Sequence, residues 1–372
     1  MSEPASTDTA VPVPPAPPAP EPARWQLSRR GWTVLLSFLI VVVLGLIGGF
    51  VQVPYVAFGP GPTYNTLGDV EGTQIVQISG QQTYPTSGQL RMTTVSVDDH
   101  VTLFGAAARW VSGRYALMPR EEYIPPGATE QQVEQQNKKM FQDSQSNAEV
   151  AALRYLGYPV KVLVQEVTEK APADGVIAPG DRLLEVNGKK IGVQEDVRAA
   201  LGGTTPGQTV QVTFQHDKDA PRTASITLGR ASDFNPDDKR TEGFMGLAPI
   251  DRADVDFETT IHLQDIGGPS AGLIFALSIV DKLTPGELEG GRTVAGTGEI
   301  DAKGNVAPIG GIPFKMVAAR EAGASVFLVP ADNCAEAKER APDGLQLIKV
   351  DTLAHAVQDL EDLRNGKPVP SC

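Results

Sequence analysis

Two short segments gather the residues best able to do covalent chemistry: Gly267-Gly268-Pro269-Ser270-Ala271-Gly272 and Pro308-Ile309-Gly310-Gly311-Ile312-Pro313-Phe314-Lys315. A serine at a helix start is ordinarily an N-cap, and a lone lysine is ordinarily a solvated amine. The surroundings point elsewhere. Ser270 stands between a strand candidate and an all-apolar helix, flanked by small residues that leave room for a substrate backbone. Lys315 follows Gly310-Gly311 among Ile312, Pro313, Phe314, Met316 and Val317, in the first turn of an expected helix. Burial disfavours the ammonium form, and so does the positive helix N-terminus. A neutral lysine can take the proton of a serine hydroxyl, the Ser-Lys variant of nucleophilic acyl transfer. Pro269 has no N–H, so the backbone N–H groups of Ser270 and Gly268 are the expected oxyanion donors.

Other chemistries fit less well. Gly268-x-Ser270-x-Gly272 also satisfies the G-x-S-x-G nucleophile elbow, with Asp332 and His355 following in the order Ser, Asp, His. That fold should build several βα units before the elbow, and the reading leaves the Pro308–Lys315 segment without a role. Only two cysteines occur, Cys334 and Cys372, and no CxxC or HExxH, so no metal site is expected. No GxxxxGK[ST] loop is present to cradle a nucleotide, and no cofactor is expected. The 32 basic and 45 acidic side chains leave a net charge of −13, the wrong sign for a nucleic-acid partner. The two cysteines could pair in an oxidising exterior. A half-buried thiol plus a tail cysteine is the slightly preferred reading.

The elements that must carry these residues start with a Pro/Ala tract, residues 1–22, expected as a disordered cytoplasmic tail (1–30). Thr33–Gln52 is a continuous apolar run, and at about 1.5 Å per residue it reaches ~30 Å, a bilayer core. Few soluble helices are apolar on every face. A cleaved signal peptide would have a shorter apolar core and an A-x-A site, where this chain has Val53-Pro54-Tyr55. Arg24, Arg29 and Arg30 precede the run and nothing basic follows until Arg91, which puts the N-terminus in the cytoplasm and the rest outside. The expectation is a single-pass signal anchor over 31–53, then a turn-rich stalk over 54–68. Strand composition at Gln89–Val97 and helical composition at Thr129–Leu156, ending at Gly157, come next. A β-rich unit follows, with strands from Val160, an Asn187-Gly188 hairpin turn, a helix over Val193–Leu201, and strands at Thr209–Gln215 and Ala224–Leu228. Residues 231–253 read as a polar linker. The last block alternates strands (Phe257–Leu263, Thr293–Ile300, Ser325–Val329) with helices (Ala271–Leu283, Pro313–Ala322, Asp351–Arg364), which indicates an α+β body.

The series IHL, GPSAG, TGEI and PIGG-x-x-x-K, standing here as Ile261–Leu263, Gly268–Gly272, Thr297–Ile300 and Pro308–Lys315, resembles the proteolytic domain of the Lon peptidases (family S16) in type and order. The resemblance implies Ser270 as nucleophile, Lys315 as its base, Thr297 as the hydroxyl that orients the amine, and His262 in a supporting role. One departure is Gly267, where Lon proteins usually carry an acid three positions before the serine; Asp265 is near but not at that position. Ala178–Ile191, APGDRLLEVNGKKI, resembles a PDZ domain, which adds a peptide to a sheet edge and usually captures a C-terminal carboxylate in a backbone loop. Leu156-Gly157-Tyr158 is the only hint of that loop.

Gln89–Val97 and Ala148–Leu156 resemble the opening strand and helix of the Lon proteolytic domain. The PDZ-like unit, 159–230, would then be inserted between 69–158 and 254–366 of one Lon-type fold. Anchor, insert and catalytic block together resemble the bacterial membrane-anchored, PDZ-containing Lon-like proteases. The resemblance implies an ATP-independent serine endopeptidase acting on protein or peptide substrates, with the PDZ-like unit controlling access, and a homo-oligomer, commonly a hexamer. The alternatives are a non-enzymatic membrane scaffold and the Ser-His-Asp hydrolase.

Overall fold

The computed structural model describes residues 28–264 and 266–372; the Pro/Ala tract and Asp265 lie outside them. A helix over Arg29–Phe50 is capped by Ser28, whose side chain accepts from the Gly31 amide, and almost every side chain along it is exposed. It is long and apolar enough to cross a membrane.

Among the described residues, two six-stranded sheets and three small two-stranded ones follow, flanked by helices, a mixed α/β arrangement that agrees with the expected α+β class. The first has six strands in the order Gln346–Val350, Val326–Pro330, Thr293–Gly296, Gln89–Asp98, Tyr55–Asn65, Ala116–Pro119. Its first four are parallel neighbours and the last two antiparallel. The parallel part needs crossovers, and the Ile312–Glu321 helix supplies the one between Thr293–Gly296 and Val326–Pro330. The expected stalk is therefore a strand. Its Pro60 and Pro62 disguise it, but they fall beyond the short stretch, Tyr55–Phe58, that pairs with Ala116–Pro119, where their missing N–H groups cost no ladder bond on that side. The register against Gln89–Asp98 also shifts between Pro60 and Thr63.

The second sheet is antiparallel, in the order Arg222–Thr227, Thr209–Gln215, Arg182–Val186, Val160–Val167, Leu247–Ala253. Asn187 and Gly188 both have positive φ, as a two-residue hairpin turn demands. The segment expected as linker supplies the Leu247–Ala253 strand. Its pairing with Val160–Val167 is long-range, so no local pattern announces it. That pairing sets Val160 directly opposite Ala253, so the chain enters and leaves this unit at one point. Asp251, almost fully buried, fastens the junction by accepting from Arg154 (2.8 Å) and from the Gln194 amide (2.7 Å).

Between the sheets runs the Glu130–Tyr155 helix, closed at its start by a Thr129/Gln132 capping box. Its Phe141 stacks edge-on against Phe275 (centroids 5.8 Å apart) in the Gly272–Leu283 helix. All but the last residue of that second helix are buried, including Leu273, Ile274, Phe275, Leu277 and Ile279. A helix sealed on all sides is a rigid base for whatever sits at its N-terminus.

Candidate active site

Ser270 lies two residues before the buried Gly272–Leu283 helix, after a turn in which Gly268 has φ 85°. The turn is held from three sides. The Ser144 hydroxyl donates to the Pro269 carbonyl (2.8 Å), while the Ser270 carbonyl accepts from the Gly298 amide (2.8 Å) and the Thr297 hydroxyl (2.9 Å). Gly272 has to be glycine: a Cβ there would lie 2.7 Å from Ile300 and 2.9 Å from the Ser144 hydroxyl.

Lys315 comes from a different element. Gly311, with φ 77°, caps the Ile312–Glu321 helix, and Pro313 sits in its first turn where no N–H is required. Lys315 falls in that first turn and points inward at 3% exposure. Its Nζ is 2.6 Å from Ser270 Oγ and 3.0 Å from Thr297 Oγ1. Burial pushes its pKa down from the usual 10.5 to about 7. Because Thr297 spends its proton on the Ser270 carbonyl, its oxygen can only accept from the amine. One N–H of Lys315 is thus fixed on Thr297, and the remaining face of the nitrogen is aimed at Ser270.

The other expected residues fall elsewhere. The Gly268 amide already donates to the Asn137 carbonyl (2.9 Å), whereas the Ser270 amide has no acceptor among the described residues. Of the two expected donors, the Ser270 amide is the one left without a partner among the described residues. His262 Nε2 is 3.0 Å from Gln77 Oε1, and His262 does not line the cleft around Ser270. The elbow alternative loses its base: His355 is exposed and sits on Asp351 (2.6 Å), one helical turn away in sequence, while Lys315 occupies the place beside Ser270. Cys334 and Cys372 are joined in a disulfide, against the slight preference for free thiols.

Ser270 and Lys315 open into a cleft of about 850 Å³ walled by Phe58, Tyr64, Val95, Met118, Ile266 and Phe314. Of the groups that could hold a metal, Asp99, His100 and Glu130 come together at the surface, but Arg120 is ion-paired with both carboxylates there.

Residues 259–362 match the family model for the Lon protease (S16) C-terminal proteolytic domain. This part of the chain is similar to a Lon-type proteolytic domain. Residues 131–228 match the PDZ domain model, a span that takes in the helix packed on Phe275 and stops short of the Leu247–Ala253 strand. The chain is 34% identical over 118 residues to a Lon protease of Rickettsia conorii, covering 31% of this chain and 15% of that one. It is 31% identical over 149 residues to Lon protease 2 of Syntrophobacter fumaroxidans, covering 40% and 17%. It thus spans less than a fifth of the length of these relatives. Among solved structures, the PDZ domain of an SdrC-like protein from Listeria monocytogenes aligns with 24% of the chain and 86% of its own length, at 24% identity and a TM-score of 0.21.

Beside the Lon-type domain, one feature escaped the sequence reading. Leu156-Gly157-Tyr158 is a helix stop: the amides of Gly157 and Tyr158 donate to the Arg154 and Leu153 carbonyls, and Gly157 has φ 82°. The apolar cleft of this unit lies instead between the Gln194–Leu201 helix and Gly243–Leu247, about 430 Å³, with Val197, Leu201, Phe244 and Met245 in its wall. The Gly243-Phe244-Met245-Gly246 run, two glycines around two apolar residues, was the available signal.

Proposed function

We propose that this chain is a membrane-anchored serine endopeptidase that cuts protein substrates through a Ser270–Lys315 dyad, without ATP, under the control of its PDZ-like unit. The observation that carries it is the 2.6 Å approach of a buried Lys315, with a pKa near 7, to Ser270 Oγ inside a Lon-type proteolytic domain. Ser270 Oγ attacks the scissile carbonyl while Lys315 Nζ accepts the hydroxyl proton. The tetrahedral oxyanion takes the Ser270 N–H. Lys315 then gives its proton to the leaving amine, which frees the acyl-enzyme for attack by a water that Lys315 deprotonates in turn. Thr297 is the positioning residue of this cycle.

Insertion of 159–253 at one point between 69–158 and 254–366 supports a PDZ-like unit that presents or gates substrate rather than one carried on a tether. An ion pair, Glu195 to Lys303 (2.9 Å), links the start of the helix lining its cleft to the turn that follows Thr297 and Gly298. The apolar Arg29–Phe50 helix with basic residues on its N-terminal side supports a single-pass anchor with the catalytic body outside, and the disulfide suits that oxidising side. Assembly into a homo-oligomer, a hexamer by resemblance, belongs to the same proposal.

The test is digestion of an unstructured protein by the full chain, in detergent and without nucleotide, alongside Ser270→Ala, Lys315→Ala and His355→Ala. Loss with the first two and survival of the third is expected. An inactive wild type, or an inactive His355→Ala with an active Lys315→Ala, would sink the dyad.

A further inference from the structure

The Leu103–Ser112 helix is built inside out for a protein in water. At 100° per residue, Trp110, Leu103, Ala107, Val111, Phe104 and Ala108 fall on one arc of about 160°. All six are exposed, Trp110 at 74% and Val111 at 79%, and no charge interrupts them. The opposite side holds the buried Ala106 and the helix's one charged residue, Arg109, whose guanidinium is paired with Asp98 (2.5 Å). A soluble surface helix has its apolar stripe inward and its charges outward. Here the order is reversed.

The helix is also fastened to the exit of the apolar Arg29–Phe50 helix. Gln52 bridges Thr102, the Val53 amide donates to the Val101 carbonyl (2.8 Å), and Thr102 caps the helix through the Gly105 amide. Phe104 lies flat against the backbone at Gly48, where a Cβ would be only 2.4 Å from its ring. The exposed arc therefore continues the apolar surface of Ile47, Phe50 and Val51.

We propose that Leu103–Ser112 is an interfacial helix, its Leu103/Phe104/Trp110/Val111 face seated in the outer leaflet beside the membrane span. The occupant is lipid, for three reasons. The patch is continuous with the span, it is uniformly apolar with a tryptophan among its outermost residues, and the helix's one cation lies on the opposite side, paired with Asp98. The proposal rests on the reading of Arg29–Phe50 as an anchor. Its consequence is positional. Ala57 and Leu117 pack beneath this helix, and their strand neighbours Phe58, Ala116 and Met118, on the opposite face, line the catalytic cleft. The cleft wall is then one layer, about 10 Å, from the bilayer.

The chain has three tryptophans, so Trp25→Phe with Trp32→Phe leaves Trp110 as sole reporter. The full-length variant would be reconstituted in phosphatidylcholine vesicles whose acyl chains carry bromine near the headgroup or near the chain end. Interfacial seating predicts co-flotation and Trp110 quenching about twofold stronger from the shallow bromine than from the deep one. Leu103→Asp with Val111→Asp should remove that quenching and leave flotation intact. Co-flotation with Trp110 open to aqueous acrylamide and untouched by brominated lipid overturns the interfacial helix and leaves the anchor standing. Shielding from both quenchers that disappears on dilution with excess lipid means a second copy covers the face, which also overturns it. Failure to float removes the anchor reading, and this one with it.

Discussion

The Gly272–Leu283 helix has a buried lysine near each end, and the two are not alike. Lys315, at the N-terminal end, faces two hydroxyls, and burial takes it down to about 7. Lys282, at the C-terminal end, is also lowered by burial, but Asp69 and Asp281 pull the other way. Its Nζ donates to the Val76 carbonyl (2.5 Å) and to Gln74 (3.4 Å). Burial alone does not make a lysine a base. What distinguishes Lys315 is that its amine meets two hydroxyls, and among the described residues no charge offsets the effect of burial, so the proton has little to hold it. Lys282 is spent on a strand carbonyl instead. Beside it Asp281, fully buried with one oxygen unpartnered among the described residues, is raised to about 7, and the buried Glu289 rises as well.

Removing Ser270 or Lys315 should break the contrast most. Ser270→Ala and Lys315→Ala are each expected to cost on the order of 10⁴-fold or more in kcat against an unfolded substrate. Lys282→Met should leave kcat within about twofold while lowering stability by about 1–3 kcal/mol, the price of an orphaned Val76 carbonyl, read in urea melts. If Lys282→Met were as dead as Lys315→Ala, the two ends would not be functionally distinct.

The pH profiles sharpen the contrast. Below about 7, log(kcat/KM) should climb one unit per pH unit as Lys315 sheds its proton, then level off. The opposite end gives a stability effect. Asp281 binds its proton more tightly folded than unfolded, so its contribution is complete below the ordinary value of 3.8 and is lost as pH rises through about 7. Asp281→Asn should flatten that slope in melts from pH 4 to 8 and leave the kinetic profile in place.

Smaller effects follow. Thr297→Val should lower kcat by about 10- to 100-fold through misdirection of the amine, with KM nearly constant and Thr297→Ser restoring most of the rate. His355→Ala should change kcat by less than about twofold, since its exposed pairing with Asp351 has little to do.

The catalytic candidates were legible because their signals are local. Small residues before an apolar run, and Gly-Gly before an amphipathic lysine helix, can be read in windows of eight residues or fewer. Tyr55–Asn65 and Leu247–Ala253 were not legible, since each owes its strand to partners far along the chain, and prolines or a polar lead-in disguised them. The Leu103–Ser112 helix went unseen for a different reason. Its apolar residues repeat with helical spacing, but the run is short and bounded by Thr102 and Gly113, with few residues to distinguish it from loop. The Gly243–Gly246 loop was missed because its meaning depends on the helix across the cleft.

The disulfide has a consequence of its own. Ser371 bridges Ile348 through the backbone, the Lys349 amide donates to the Pro370 carbonyl (3.1 Å), and Cys372 is covalently bound to Cys334. Gln346–Val350 is the edge strand of the first sheet, and an edge strand offers its open backbone groups to any other extended chain. The tethered segment occupies part of that edge. The covalent bond thus keeps a cover over a margin where strands of other molecules could otherwise add.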